Sequence, residues 1–177
     1  MKSFALCAVL LLLCAVFVRA QQDAPEIYLQ TGQRLPDFTI TDLDGKEYKS
    51  ADFKGKVVFI YFWTTWCPYC RAEMQHLERE IWQKFKSDDF VMLAVAREQS
   101  AEEAANYLKK AKVTFPVAAD PNGKIFDSFA GHGIPRSYIA DTNGTIVFQI
   151  AGLDESQFDN RKRALQKALK NAKKQRE

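Results

Sequence analysis

Val57-Val58-Phe59-Ile60-Tyr61-Phe62-Trp63-Thr64-Thr65-Trp66-Cys67-Pro68-Tyr69-Cys70-Arg71-Ala72-Glu73 is the stretch that decides how this chain folds. Val57 to Trp63 is an apolar run, the pattern of a strand buried on both faces. Such strands belong to parallel sheets with helices packed on either side. After Thr64-Thr65-Trp66 the period changes. Met74, Leu77, Ile81 and Phe85 recur at three- and four-residue spacing, one face of a helix running from Cys67 to about Lys86. Cys67 and Cys70 therefore stand where a buried strand hands over to a helix N-terminus. Free backbone N–H groups and the macrodipole favour negative charge there. A thiol so placed ionises with a pKa of about 3.5–7.5 in place of about 8.5. Pro68 suits the first helical turn, where no intrahelical hydrogen bond is lost. Residues three apart share a helix face, so the two sulfurs can meet. Cys67, earlier in the turn, is expected to be the exposed attacking thiolate, and Cys70 the shielded thiol that resolves a mixed disulfide. The competing readings are a structural disulfide or half of a zinc site. Zinc takes four ligands, and beyond the first 20 residues the chain offers only these two cysteines and the scattered His76 and His132.

Phe62-Trp63-Thr64-Thr65-Trp66-Cys67-Pro68-Tyr69-Cys70-Arg71-Ala72-Glu73-Met74 resembles the active-site strand and helix of thioredoxin-like proteins. It is similar in particular to the exported thiol–disulfide oxidoreductases of the TlpA/ResA type. The resemblance runs from about Leu35 to the C-terminus. It implies an α/β thioredoxin fold: a central mixed β-sheet flanked by helices, with an N-terminal β-hairpin extension. It also implies that Ile134-Pro135, within Gly131 to Ile139, is the dipeptide whose cis-proline faces the cysteines. The backbone of Ile134 would then pair with an extended client beside Cys67. Trp66, Pro68, Tyr69, Ile134 and Pro135 make up the expected client-binding surface, with Trp66 a flat apolar wall and Tyr69 exposed between the cysteines. In this type a glutamate at the position of Glu73 sits under the disulfide and takes part in proton handling. A carboxylate there can act as base for the resolving thiol. Read from its own residues, Glu73 needs no more than a place on the helix surface. Tyr61 occupies the place of thioredoxin's buried aspartate, a departure that leaves Glu73 as the better base.

The first 20 residues read as a secretory signal peptide. Lys2 starts it, Phe4 to Val18 is apolar, and Val18-Arg19-Ala20 ends on a small residue at a cleavage point. The run is short for a spanning helix, which needs about 20 residues; an uncleaved N-terminal membrane anchor is the alternative. Cleavage removes Cys7 and Cys14. An exported chain left with one Cys-x-x-Cys pair is not stapling a small fold; it handles the disulfides of other proteins. The expected organisation is a signal peptide at 1–20, a flexible segment at 21–34 and one thioredoxin-like domain at 35–177. Charge is unevenly spread. The chain has 25 basic and 22 acidic residues, and from Arg161 onward eight basic residues face Glu177 alone. Such a tail can attract anionic lipid or an acidic partner. The plainer reading, taken here, is a solubilising terminal helix. It lacks the interleaved aromatics of single-strand binders, which argues against nucleic acid.

Taken in order, Leu35 to Ile40 alternates like a strand, Asp42 to Gly45 is a turn and Lys46 to Tyr48 a return strand. Ser50 to Gly55 reads as one helical turn closed by glycine. Phe90 to Ala96 is a second central strand. Ser100-Ala101-Glu102-Glu103 is a capping box opening a helix to about Ala111. Ile125 to Phe129 fits a short helix. Asp141-Thr142-Asn143-Gly144 is a hairpin turn, Thr145 to Ile150 an edge strand, and Asp154 to about Lys174 a terminal helix with Phe158, Leu165 and Leu169 available to pack.

The expected function is exchange of disulfides with exported proteins through the Cys67–Cys70 pair, as a reductant. Ile134 before the proline is the residue of reducing thioredoxins, whereas oxidants of this fold carry valine. The resemblance implies clients such as apocytochrome c cysteines and a membrane thiol reductant of the DsbD/CcdA kind as electron donor. No metal or other cofactor is expected, and the chain is expected to act as a monomer in the periplasm or another exported compartment. The alternatives are a disulfide oxidant or isomerase, a thiol peroxidase and a copper-binding chaperone. The hairpin and Phe115-Pro116 also occur in peroxiredoxins, but those place a proline seven residues before the cysteine, where this chain has Ile60. Copper-delivery relatives space their cysteines by three residues, not two, which counts against a site of Cys67, Cys70 and His132.

Overall fold

A computed structural model describes residues 29–152 and 155–176 of the chain. The expected signal peptide lies outside the described residues. Thr39–Thr41 (β1) and Glu47–Lys49 (β2) pair antiparallel with Ile40 opposite Tyr48. Asp42 builds the turn between them, its carboxylate accepting from the backbone N–H of Asp44 at 3.0 Å and Lys46 at 2.8 Å. A 3₁₀ turn, Ser50–Phe53, leads through Gly55 at φ +83° into the central strand Val57–Trp63 (β3). Successive strand side chains point to opposite faces, and here both faces are dry. Val57, Phe59, Tyr61 and Trp63 enter one core, while Val58, Ile60 and Phe62 enter another. That double burial is why β3 shows no polar alternation.

Phe90–Arg97 (β4) runs parallel to β3, and Val117–Asp120 (β5) parallel to β4. Arg136–Ala140 (β6) is antiparallel to β3, and Ile146–Ala151 (β7) antiparallel to β6. The order β5-β4-β3-β6-β7 is a mixed sheet with β3 in the middle and β7 at an edge. The hairpin covers the opposite edge: Leu43 N donates to Val117 O at 2.8 Å and Asp42 bridges Ala118. Unpaired groups that would otherwise invite another chain are thereby satisfied.

The main helices among the described residues are Pro68–Leu77 (α1), Ala101–Ala111 (α2), Lys124–Phe129 (α3) and Glu155–Lys174 (α4). Met74, Leu77 and Ile81 pack on the Trp63 side of the sheet together with Ala104 of α2 and Leu165 of α4. Phe126 and Phe129 of α3 pack on the other side, edge-on to Phe62 at 5.2 and 5.0 Å. The expected capping box opens α2, with Ser100 Oγ accepting from Glu103 N and the Glu103 carboxylate accepting from Ser100 N.

Two details differ from the sequence expectation. The domain begins before Leu35. Leu29 N donates to Phe129 O at the end of the helix Lys124–Phe129, Gly32 N to Ile146 O, and Ile146 N to Gln33 O, so residues 29–34 are fastened to that helix and to the start of β7. The helix after the cysteines is also not one regular helix. A π-helical turn, Glu78–Trp82, follows α1 before a last helical turn at Gln83–Phe85. The wide turn begins at Glu78, a buried carboxylate that accepts from Thr114 N at 2.8 Å, Thr114 Oγ1 at 2.8 Å and Gln83 Nε2 at 2.6 Å.

Burial raises the Glu78 carboxyl, but those hydrogen bonds outweigh it and the group sits below its ordinary 4.5. A folded-state value below the unfolded one stabilises the fold above about pH 4.5, and this contribution fades as pH falls through the folded value. Glu78→Gln is expected to lose about 1–3 kcal/mol at neutral pH and to flatten the acid limb of stability. Urea unfolding of both proteins across the acid range measures this.

Candidate active site

β3 ends at Trp63, and the chain turns through Thr64-Thr65-Trp66 into α1. Gln99, at the end of β4, clamps that turn: Thr65 N donates to Gln99 Oε1 at 2.6 Å and Gln99 Nε2 donates to Thr65 Oγ1 at 2.7 Å. Cys67 is then the N-cap of α1, with Pro68 in the first turn. Cys67 Sγ accepts from Cys70 N at 3.1 Å, and the two cysteines are joined as a disulfide with their Cα atoms 5.2 Å apart. The sulfurs sit where the helix presents unpaired N–H groups, so negative charge on Cys67 is favoured once the bond opens. The expected contrast in exposure is only partly present. Cys70 is fully buried, but Cys67 is just 5% exposed, because its side chain turns inward onto the helix start. The exposed groups are its neighbours: Trp66 at 69% and Tyr69 at 64%, with Pro68 also exposed.

The second wall comes from the loop before β6. Ile134–Pro135 is cis, as the resemblance implied. β6 pairs with β3 so that Arg136 lies opposite Phe62, which brings Pro135 to the end of the sheet from which the cysteines emerge. Half-buried Ile134 packs against both cores, one of them containing Cys67. Arg136, 4% exposed, holds this loop from beneath. It donates to His132 O at 3.0 Å, Gly133 O at 3.3 Å and Tyr138 Oη at 3.4 Å. Gly133 has φ +88°, and a Cβ there would stand 3.2 Å from Arg136 Nη2. Burial pushes the Tyr138 hydroxyl up despite the arginine beside it; it stays protonated and donates to Phe129 O at 3.1 Å. His132 is exposed and enters this arrangement through its carbonyl. His76 is exposed on α1 with its ring against Phe158.

Beneath the disulfide lies a polar cluster. Glu73 is not on the helix surface: it is 1% exposed, and its Oε1 pairs with Arg161 Nη1 of α4, likewise 1% exposed. The Tyr61 hydroxyl donates to Cys70 O at 3.1 Å. Burial first, and then the charge of Glu73, push that phenol well above its ordinary value. Tyr61 faces Ser137 across the strand pair. Sequence reasoning singled out Glu73 by resemblance. It missed Arg161, which was assigned to a solubilising tail, and also Arg136, Gln99 and the hydroxyl role of Tyr61. A signal for Arg161 was present. It falls on the stripe of Phe158, Leu165 and Ala172, and a lone charge on an apolar helix face is out of place unless it has a buried partner.

Arg136→Met is expected to cost about 2–3 kcal/mol of stability, the worth of buried hydrogen bonds from a charged donor. It should also slow exchange with protein clients more than alkylation of reduced Cys67. Urea unfolding and the two rate assays check this.

Residues 31–149 match the AhpC/TSA family model. The thiol–disulfide oxidoreductase ResA of Bacillus thuringiensis subsp. konkukian is 34% identical over 124 residues, covering 70% of this chain and 71% of that protein. The ResA of Bacillus subtilis strain 168 is 30% identical over 124 residues, 70% of this chain and 69% of its own. Among solved structures, a candidate protein disulfide isomerase from Bacteroides thetaiotaomicron superposes with a TM-score of 0.78 at 34% identity, over 82% of this chain and 92% of its own. A thioredoxin-family thiol:disulfide interchange protein from Chlorobium tepidum gives 0.65 at 27%, over 80% and 98%.

Proposed function

The chain belongs to the AhpC/TSA family and is a thiol–disulfide oxidoreductase, and on that premise we propose that it works outside the cytosol as a reductant of client-protein disulfides. The observation that carries this is the Cys67–Cys70 disulfide at a helix N-terminus, set between exposed Trp66 and Tyr69 and the cis Ile134–Pro135 loop. In the reduced protein the Cys67 thiolate attacks one sulfur of a client disulfide. An S–S bond forms to Cys67, and the other client sulfur leaves with the electron pair and takes up a proton. Cys70 then gives up its proton and attacks Cys67 Sγ. The second client thiol departs, the client has gained two electrons, and the Cys67–Cys70 disulfide is restored. Glu73 is the acceptor for the Cys70 proton. Trp66, Pro68, Tyr69, Ile134 and Pro135 form the surface against which an extended client segment lies, its backbone pairing beside Ile134.

The reducing direction is supported by Ile134. Export is supported by the signal-peptide pattern of the first 20 residues and by the pairing of the chain's remaining cysteines with each other. Among the described residues no helix is long and apolar enough to cross a membrane. Exported clients of the apocytochrome c kind, a DsbD/CcdA-like electron donor and action as a monomer complete the reading.

The reduced protein is expected to reduce insulin. Cys67→Ser abolishes this, and Cys70→Ser accumulates the Cys67 mixed disulfide. A reduction potential near about −270 mV supports a reductant, and one near about −120 mV an oxidant. Trp66→Ala is expected to raise KM for insulin roughly five- to tenfold, a typical loss for an exposed aromatic anchor, with little change for a small disulfide. Insulin turnover by the unaltered protein that is no faster than background would sink the reading.

Peroxide reduction is the second reading, favoured by the hairpin and by Phe115-Pro116. Against it, the position seven residues before Cys67 is Ile60, in the middle of fully buried β3, where a proline could not join the ladder. Peroxide consumption that survives Cys70→Ser would favour it.

A further inference from the structure

α4 carries the basic end of the chain, yet one of its cations points into the core. Arg161 and Glu73 are each 1% exposed and paired with one another, and the Arg161 guanidinium also lies 5.5 Å from the Phe158 ring centre. Taking two charges out of water costs several kcal/mol apiece, and well-packed apolar side chains of the same size would hold the fold as well or better. Stability alone therefore does not account for the pair, but its position does. Glu73 follows Cys70 by three residues in α1, so the two share a helix face. The Tyr61 hydroxyl, which donates to Cys70 O, interacts with the Glu73 carboxylate. Arg161 comes from a helix lying beyond residues 31–149, the part that matches the family model.

We infer that Arg161 is a positioning residue for the resolving step: by pairing with Glu73 in the core it holds that carboxylate one helical turn below Cys70, so the Cys70 proton has a base to go to. This rests on the function proposed above. In the step, the Cys70 S–H proton passes to a Glu73 oxygen and the freed electron pair forms the bond to Cys67 Sγ. The bond from Cys67 to the client sulfur breaks, and that sulfur leaves as a thiolate. Without Arg161 the carboxylate would be a lone buried charge, which the core does not tolerate, and nothing would hold it in place as a base for Cys70. The groups facing Glu73 are Cys70 on its own helix, Tyr61 from β3 and Arg161 from α4. Tyr107 of α2 acts on Tyr61.

The test follows the resolving step alone. Cys67 of the reduced protein is loaded as its thionitrobenzoate mixed disulfide, and release of thionitrobenzoate by Cys70 is timed across about pH 5–9. Arg161→Met is expected to slow release about a hundredfold near pH 7, the lower reach of general-base catalysis. The deficit should narrow as pH rises, because Cys70 then ionises without help from a base. Arg161→Lys should keep the profile of the unaltered protein. Glu73→Gln should be slowed in the same way, and adding Arg161→Met to it should change nothing further. An Arg161→Met profile that overlies the original, or one lowered in parallel at every pH, overturns the inference. So does a double variant that differs from Glu73→Gln. If Arg161→Met alone does not fold by circular dichroism, Arg161→Lys and the charge-free double variant decide on the same criteria. Insulin reduction by the unaltered protein is scored separately. A chain that releases thionitrobenzoate as described yet leaves insulin untouched defeats the proposed function and not the role of Arg161.

Discussion

The seven side chains of β3 are all out of contact with water, so burial must be provided from both sides of the sheet at once. One side receives α1, α2 and α4, and the other receives α3, the hairpin and its 3₁₀ turn. A strand enclosed in this way can shed its chain only at its end. Because β3 is flanked by a parallel and an antiparallel neighbour, that end is where β6 begins. The cysteines leave one strand there and the cis-proline loop enters the next, so the two halves of the site meet through sheet register.

What lies under the disulfide is governed by a different force. Tyr61, Glu73 and Arg161 come together as a polar cluster against the Trp63-side core. A charged carboxylate in such a medium needs an opposite charge against it, and α4 supplies one in Arg161. The terminal helix is thus joined to the chemistry by an electrostatic requirement as well as by Leu165 and Ala168. The polar tip of Tyr61 donates to the backbone carbonyl of Cys70, on the helix turn that carries the sulfurs.

On the outer side the same turn is bare. Trp66 and Tyr69 are the most exposed large apolar side chains among the described residues, and they stand on either side of a nearly buried Cys67. The surroundings are correspondingly stiff: Gln99 holds the turn before the helix and Arg136 holds the loop carbonyls opposite. The site thus offers two exposed aromatic faces on a scaffold whose backbone has its hydrogen bonds in place. This suits recognition of extended chains of varied sequence, where backbone pairing and apolar contact matter more than a shaped pocket.

Local pattern was enough for the elements and for the sulfur chemistry. An unbroken apolar run can only be a doubly buried strand, a capping box can only open a helix, and Cys-Pro-Tyr-Cys at their junction puts two thiols one turn apart. The hairpin, β4, α2, the edge position of β7 and the cis-proline followed from such signals or from family resemblance. The partners did not. Glu73 looks the same in sequence whether it faces water or a cation. Arg161 stands 88 positions further on, among residues that mostly do point to water. The same holds for Glu78 with Thr114, Gln99 with Thr65, and residues 29–34 with β7. Periodicity reports which face of an element is dry. Which charge or hydrogen-bond donor waits on the far side of that face depends on how distant elements pack, and no local pattern records it.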